Sequence, residues 1–313
     1  MNDLRCLIIS SSIDYSTDLI CIQLEKQHIS YLRINRDQFD KFQITLSVYE
    51  LILRIKLGEK EYIYRNSDRN SIYFRAPVFI RTMNKKYSLD DQVYKSQWSA
   101  FMRNLIVFDR VKWINNPVNT YRAENKVFQL VKAKENGLLI PDTKVANCCF
   151  DIVPDNKYIV KSIDTALFNN DDIEMFMYTS RLSGNEIMNS NLSLAPVFIQ
   201  DYIENKIDIR VTYISGKVFP VKITSGGGGI DCDWRKKKKD DLEYEICAIP
   251  DEIIVKLTNL MKSLNLEFGG VDLIKSGKNY YFIEVNPTGE WGWLQSNIDV
   301  PIDEEITRAL VIL

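Results

Sequence analysis

The sequence predicts an α/β protein in three parts, a parallel α/β layer first and antiparallel sheets after it, on two observations. The first is a β-α-β pattern at the start. LRCLIIS (4–10) is a continuous apolar run of strand length, STDLICIQLEKQ (16–27) has helical spacing opened by Ser16 or Thr17, and ISYLRIN (29–35) is strand-like again. The second is a series of hairpins further on. APVFIQDYIENKIDIRVTYISGKVFPVKI (195–223) reads as a strand, a polar crossing and a hairpin turning at 215–217, and FGGVDLIKSG (268–277) and NYYFIEVNP (279–287) pair around KSGK.

The elements between follow from local chemistry. Residues 43–66 read as antiparallel strands, and SIYFRAP (71–77) as a strand stopped by Pro77. QVYKSQWSAFMRNLIVF (92–108) is an amphipathic helix, and WINNPVNT (113–120) a loop holding Pro117. A boundary near 118 separates an N-terminal α/β domain (1–118) from a central subdomain (119–194) and a C-terminal one (195–313). The central part opens with a helix inside ENKVFQLVKAKENGLLIPDT (124–143), closed at Gly137, followed by a strand ending at Lys161. A helix over roughly 250–264 precedes the last hairpin. Trp291 and Trp293 alternate as in a strand and are expected in the core.

Composition narrows the function. The 313 residues are 45% apolar and 26% charged with 13 Gly and 9 Pro, a globular balance. No apolar run reaches the roughly 18 residues that span a bilayer, so a cytoplasmic protein without membrane contact is expected. Residues 1–120 carry 18 Lys+Arg against 13 Asp+Glu and the remainder 22 against 29, which offers nucleic acid no strongly basic face. RKKKK (235–239) runs into DDLEYE and reads as a solvated turn, and GGGG (226–229) as a flexible loop. Six cysteines without CxxC spacing read as reduced thiols, and one histidine, His28, leaves no pair for zinc and no ready base for a serine or cysteine triad.

FIEVNPTGEW (282–291) carries the chemistry. In a strand, Glu284 and Asn286 project to one face, and the KSGK hairpin brings Asp272 beside them. Two carboxylates and an amide oxygen suit Mg²⁺, which completes its octahedron with water and nucleotide phosphates. Lys126 and Lys161 are placed to balance those phosphates.

The order Lys126, Lys161, Q-D-Y-I (200–203), D-I-R (208–210), Asp272, E-V-N (284–286) resembles the ATP-grasp superfamily over about residues 119–296. The resemblance implies an ATP-grasp fold clasping ATP between the two later subdomains. It places Lys126 and Lys161 on ATP phosphates, the hinge Gln200, Asp201, Tyr202 and Ile203 around adenine, Asp208 near the ribose, and Asp272, Glu284 and Asn286 on Mg²⁺.

SIYFRAP, MYTSRL (177–182), the 195–223 hairpin, CDWRK (232–236) and EVNPTGEWGWL (284–294) are similar to the graspetide, microviridin-type peptide macrocyclases, and next to the ribosomal-protein glutamate ligases. The first of these stretches departs from that family, having Arg75 and Ala76 where two arginines are usual, and the loop after Lys161 is poor in glycine. The likeness implies a homodimer that binds a precursor peptide through a leader segment. Its Asp or Glu side chains would be activated as acyl phosphates and joined to Ser, Thr or Lys. Arg210, on the same strand face as Asp208, and Arg235 are the candidates for the acyl phosphate, with Asp233 a candidate base or loop anchor. The alternatives are amino-acid addition to a peptide end, and an inactive peptide-binding module.

Overall fold

A computed structural model describes residues 2–75, 88–163, 167–170, 173–176 and 179–311, without the side chains of 167–170, 173–176, 235 and 239. Its first layer is a parallel sheet. Cys6–Ser10 lies between Tyr31–Asn35 and Ser71–Phe74, and Lys112–Ile114 forms the far edge. Cys6–Ser10 is buried along its whole length, which is why it reads as an unbroken apolar run.

Helix Tyr15–Lys26 makes the crossover. Its cap is Asp14, which accepts from the Thr17 N–H, rather than Ser16 or Thr17, both of which lie buried inside the first turn. Strands Phe42–Ser47, Ile52–Leu57 and Lys60–Arg65 form an antiparallel meander, extended in parallel by Asn2–Asp3. Helix Leu89–Asn104 begins earlier than the apolar pattern implied, because Ser88 and Asp91 form a capping box. Residues 117–120 are not a loop. Pro117 opens helix Pro117–Ala123, where a missing N–H is no loss, and Asn116 caps it.

Three antiparallel sheets follow among the described residues, the smallest the pair Leu167–Asn170 and Ile173–Phe176. Ser180–Ser183, Lys157–Lys161, Val197–Asp201 and Thr143–Ala146 form the second in that spatial order. Glu243–Ile246, Lys217–Thr224, Ile207–Ile214, Phe268–Ser276 and Asn279–Asn286 form the third. Helices Lys126–Glu135 and Asp251–Ser263 bury Leu130, Ala133, Leu257 and Met261 in a core shared with this five-stranded sheet.

Trp291 and Trp293 do not lie on a strand. They begin helix Gly292–Asn297, where Trp291 is buried with its indole N–H on the Tyr73 hydroxyl. The final helix Ile302–Val311 packs on Tyr15–Lys26, and both share a core with Ile214 and Phe268 of the five-stranded sheet. Among the described residues no helix is long and apolar enough to cross a membrane.

Candidate active site

The register of the five-stranded sheet assembles a row of charges. Arg210 stands opposite Asp272, and Asp272 opposite Glu284. Residues directly opposite on antiparallel strands point to one face, so the three side chains line up across neighbouring strands. A bulge beside Asp272, where Ile283 is the extra residue, restores this alignment at the end of the hairpin.

Arg210 Nη1 donates to Asp272 Oδ1 at 2.9 Å, and Lys126 Nζ, on the first turn of its helix, lies 3.5 Å from Glu284 Oε2. Asp208, two residues before Arg210, accepts from Lys206 Nζ at 2.8 and 2.6 Å.

These groups border a cavity of about 200 Å³ between the two larger of the later sheets, with Lys126, Lys161, Asp208, Arg210, Asp272, Glu284 and the 200–203 crossing on its walls. Lys161 ends its strand opposite Phe198, with Nζ 5.7 Å from that ring. The Gln200 side chain is buried and donates to Thr143 Oγ1 at 2.8 Å, and the Tyr202 hydroxyl donates to Asp231 at 2.6 Å. Both side chains therefore brace the crossing, which leaves the backbone of 200–203 as the part that can meet a base edge. Asp201 is exposed.

Asn286 stands apart from this cavity and borders a second one, which shares Arg210, Trp234 and Asp272 with the first. Arg235 lies on the 3₁₀ turn Trp234–Lys236, and its side chain is outside the described residues; its neighbours Asp233 and Trp234 line the first cavity.

Burial pushes the Asp208 carboxyl up to about 6; the Lys206 ammonium opposes this while Asp272 and Asp233 add to it. Arg210 is buried, and its Nε has no hydrogen-bond partner. Two glycines make its room: a Cβ on Gly270 would fall 2.0 Å from Arg210 Nη2, and one on Gly289 2.4 Å from the same atom. A buried guanidinium with an unused donor fits an anionic oxygen arriving from the cavity.

Among the described residues no three His, Cys, Asp or Glu side chains are grouped to hold a metal. The candidate set is two carboxylates and an amide, which fits a magnesium ion that takes its other ligands from phosphates and water.

Sequence reasoning missed three contributors. Lys206 sits in a polar crossing that looks solvated, yet it is 6% exposed; its only signal is the spacing to Asp208. Asn115 is buried, donating to the carbonyls of Phe268 and Pro287 and accepting from the N–H groups of Glu267 and Phe268. Arg75, whose role the departure at Ala76 left open, donates to Asp14 at 3.0 Å, to Glu290 at 2.7 Å and to the Gly289 carbonyl at 3.3 Å. Ala76 itself lies outside the described residues.

Comparisons with known proteins bear on the fold and the family. The family model of the RimK-like ATP-grasp domain matches residues 133–310. The tetrahydromethanopterin:alpha-L-glutamate ligase of Methanocaldococcus jannaschii is 24% identical over 229 residues, 68% of this chain and 76% of that protein. Macrocyclase MdnC of Microcystis aeruginosa, solved with precursor peptide MdnA, superposes with a TM-score of 0.81 at 22% identity over 98% of this chain and 99% of its own. A RiPP-associated ATP-grasp ligase of Chryseobacterium gregarium, solved with ADP and a leader and core peptide, gives 0.81 at 23% identity over 99% and 96%. With the matched model spanning more than half of the sequence, including both antiparallel strands that carry Asp272 and Glu284, the chain belongs to the RimK-like ATP-grasp family.

Proposed function

We propose that the protein is an ATP-dependent carboxylate ligase that closes rings in a precursor peptide, joining Asp or Glu side chains to Ser, Thr or Lys. One observation carries the reading: Lys126, Lys161, Arg210, Asp272 and Glu284, which come from different elements, meet on one cavity. That the solved macrocyclase MdnC and the C. gregarium ligase match over nearly the whole chain, the first 118 residues included, supports a peptide substrate over a free amino acid. A homodimer in the cytoplasm is part of the same proposal; all six cysteines are free thiols, which suits a reducing compartment.

In this reading Lys126 and Lys161 hold the phosphates, and the 200–203 backbone holds the base. Asp272, Glu284 and Asn286 would hold Mg²⁺, which when bound neutralises phosphate charge. A substrate carboxylate oxygen attacks the γ-phosphorus, ADP leaves, and Arg210 stabilises the charge on the resulting acyl phosphate. A substrate hydroxyl or amine then displaces phosphate.

The test is to mix protein, Mg²⁺-ATP, free amino acids and a precursor peptide encoded nearby, and to follow ADP and intact peptide mass. The expected result is one ADP and the loss of one water per bond. Mass gained by a residue would instead indicate amino-acid addition, the reading favoured by the glutamate ligase relative. Binding without ADP release would sink both.

A further inference from the structure

The second cavity is walled by Arg210, Asp272, Asn286, Glu290, Trp234 and Trp293. It meets the first at Arg210, Asp272 and Trp234, so whatever lies in it is beside the acyl phosphate that Arg210 would hold. One wall is aromatic. The Trp234 and Trp293 rings are 5.3 Å apart, Tyr244 lies 5.3 Å from Trp293, and the Trp293 indole N–H donates to the Glu290 carbonyl at 3.0 Å.

The remaining wall holds an exposed carboxylate fixed in place. Glu290 accepts from Arg75 Nη2 at 2.7 Å and from Ser16 Oγ at 2.8 Å, yet its side chain is 61% exposed. Neutralising Arg75 does not require it, because Asp14 already pairs with Arg75 on the buried side, where its own side chain is 9% exposed. Arg75 is one positive charge against two carboxylates. A surplus negative charge therefore borders an aromatic slot beside the reaction centre. An alkyl ammonium matches both, with its methylenes against the indoles and its charge on the carboxylate and the ring faces.

We infer that this cavity is the subsite for the attacking nucleophile and that it selects a lysine side chain, so that the bond formed is an amide. The inference rests on the ligase reading above. Glu290 takes one proton from the ammonium. The amine nitrogen then attacks the acyl carbon, the C–N bond forms as the C–O bond to phosphate breaks, phosphate leaves with the electron pair, and the second proton shed by nitrogen goes to phosphate.

The test uses full-length protein labelled with 5-fluorotryptophan, whose five resonances are assigned with Trp234→Phe and Trp293→Phe. It is titrated in turn with α-N-acetyl-lysine amide, α-N-acetyl-threonine amide and α-N-acetyl-norleucine amide. The lysine probe should shift the Trp234 and Trp293 signals saturably, at least tenfold more tightly than the other two, and Glu290→Gln should weaken it at least tenfold. Equal binding of the three probes, a preference for threonine, or undiminished binding to folded Glu290→Gln overturns the inference. The comparison of probes on the unaltered protein decides even if Glu290→Gln fails to fold. Selective lysine binding with no ADP released by any precursor peptide would leave the subsite standing and overturn the ligase reading alone.

Discussion

Asp208 shows how a single residue couples the site to pH. Its carboxyl sits at about 6 in the native state because it is buried, and near 3.9 in an unfolded chain. The native state therefore binds the proton more tightly. This contribution to stability is fully present below about pH 4 and is lost as pH rises through about 6, up to about 3 kcal/mol in all. The difference in melting temperature between wild type and Asp208→Asn should therefore shift in favour of Asn as pH is raised from 4.5 to 7.5, and a pH-independent difference would refute the raised value. Lys206 explains why the charged form is tolerated at all, since its Nζ sits on both carboxylate oxygens. At this scale the sequence was half legible. Asp208 was named through the resemblance to ATP-grasp proteins and Arg210 by its place two residues further on the same strand face, whereas a lysine in a polar crossing carries no mark of burial, because burial is set by the sheets that fold over it.

Elements place those residues, and their register is the most readable feature of the chain. The KSGK turn fixes the pairing of Phe268–Ser276 with Asn279–Asn286, and the bulge at Ile283 then sets Asp272 against Glu284. What alternation could not supply is the bulge, or the reason for glycine at 270 and 289, because both answer to Arg210 arriving from another strand. Adding a methyl group at Gly270 should push the guanidinium from Asp272 without touching Lys126 or Lys161. Gly270→Ala is expected to bind ATP within a few-fold of wild type and to lose about a hundredfold in ligation rate, as when one preorganised charge-stabilising group is removed. Calorimetry beside single-turnover mass spectrometry checks it; equal loss of both would mean that the strand itself has been disrupted. The helices at 117 and 292 were misread for a related reason. Pro117 and the Trp291, Trp293 pair fit a loop and a strand locally, and their helical state is decided by Asn116 as a cap and by the packing of Trp291 under Tyr73.

Across the whole molecule, the first 120 residues hold the loop that follows strand Asn279–Asn286. Asn115 grips the Pro287 carbonyl, Arg75 the Gly289 carbonyl and Glu290, and Ser16 the Gly292 N–H. None of this was legible in order along the chain, since the partners lie more than 150 residues apart and no local pattern records them. The loop bears Gly289, which clears space for Arg210, and it follows directly on Asn286, so under the proposed ligase reading Arg75 would act by positioning this loop rather than by binding ATP. Arg75→Met leaves Asp14, whose carboxyl Arg75 helps to hold below the usual range, buried without its cation. Breaking such a pair costs about 3–5 kcal/mol, so a lower melting temperature is expected. A merely structural role would end there. A positioning role requires in addition that the surviving folded enzyme show a kcat at least tenfold down with KM for ATP nearly unchanged, because in the proposed reading the nucleotide is held by Lys126 and Lys161, which lie on other elements. Arg75→Lys should recover stability more than rate, since an ammonium restores the charge but cannot reach Asp14, Glu290 and the Gly289 carbonyl with one planar fork. Steady-state kinetics on the two variants below their melting temperatures decides the matter: wild-type kcat in Arg75→Met, or a matching rise in KM, would show that the loop keeps its place without Arg75.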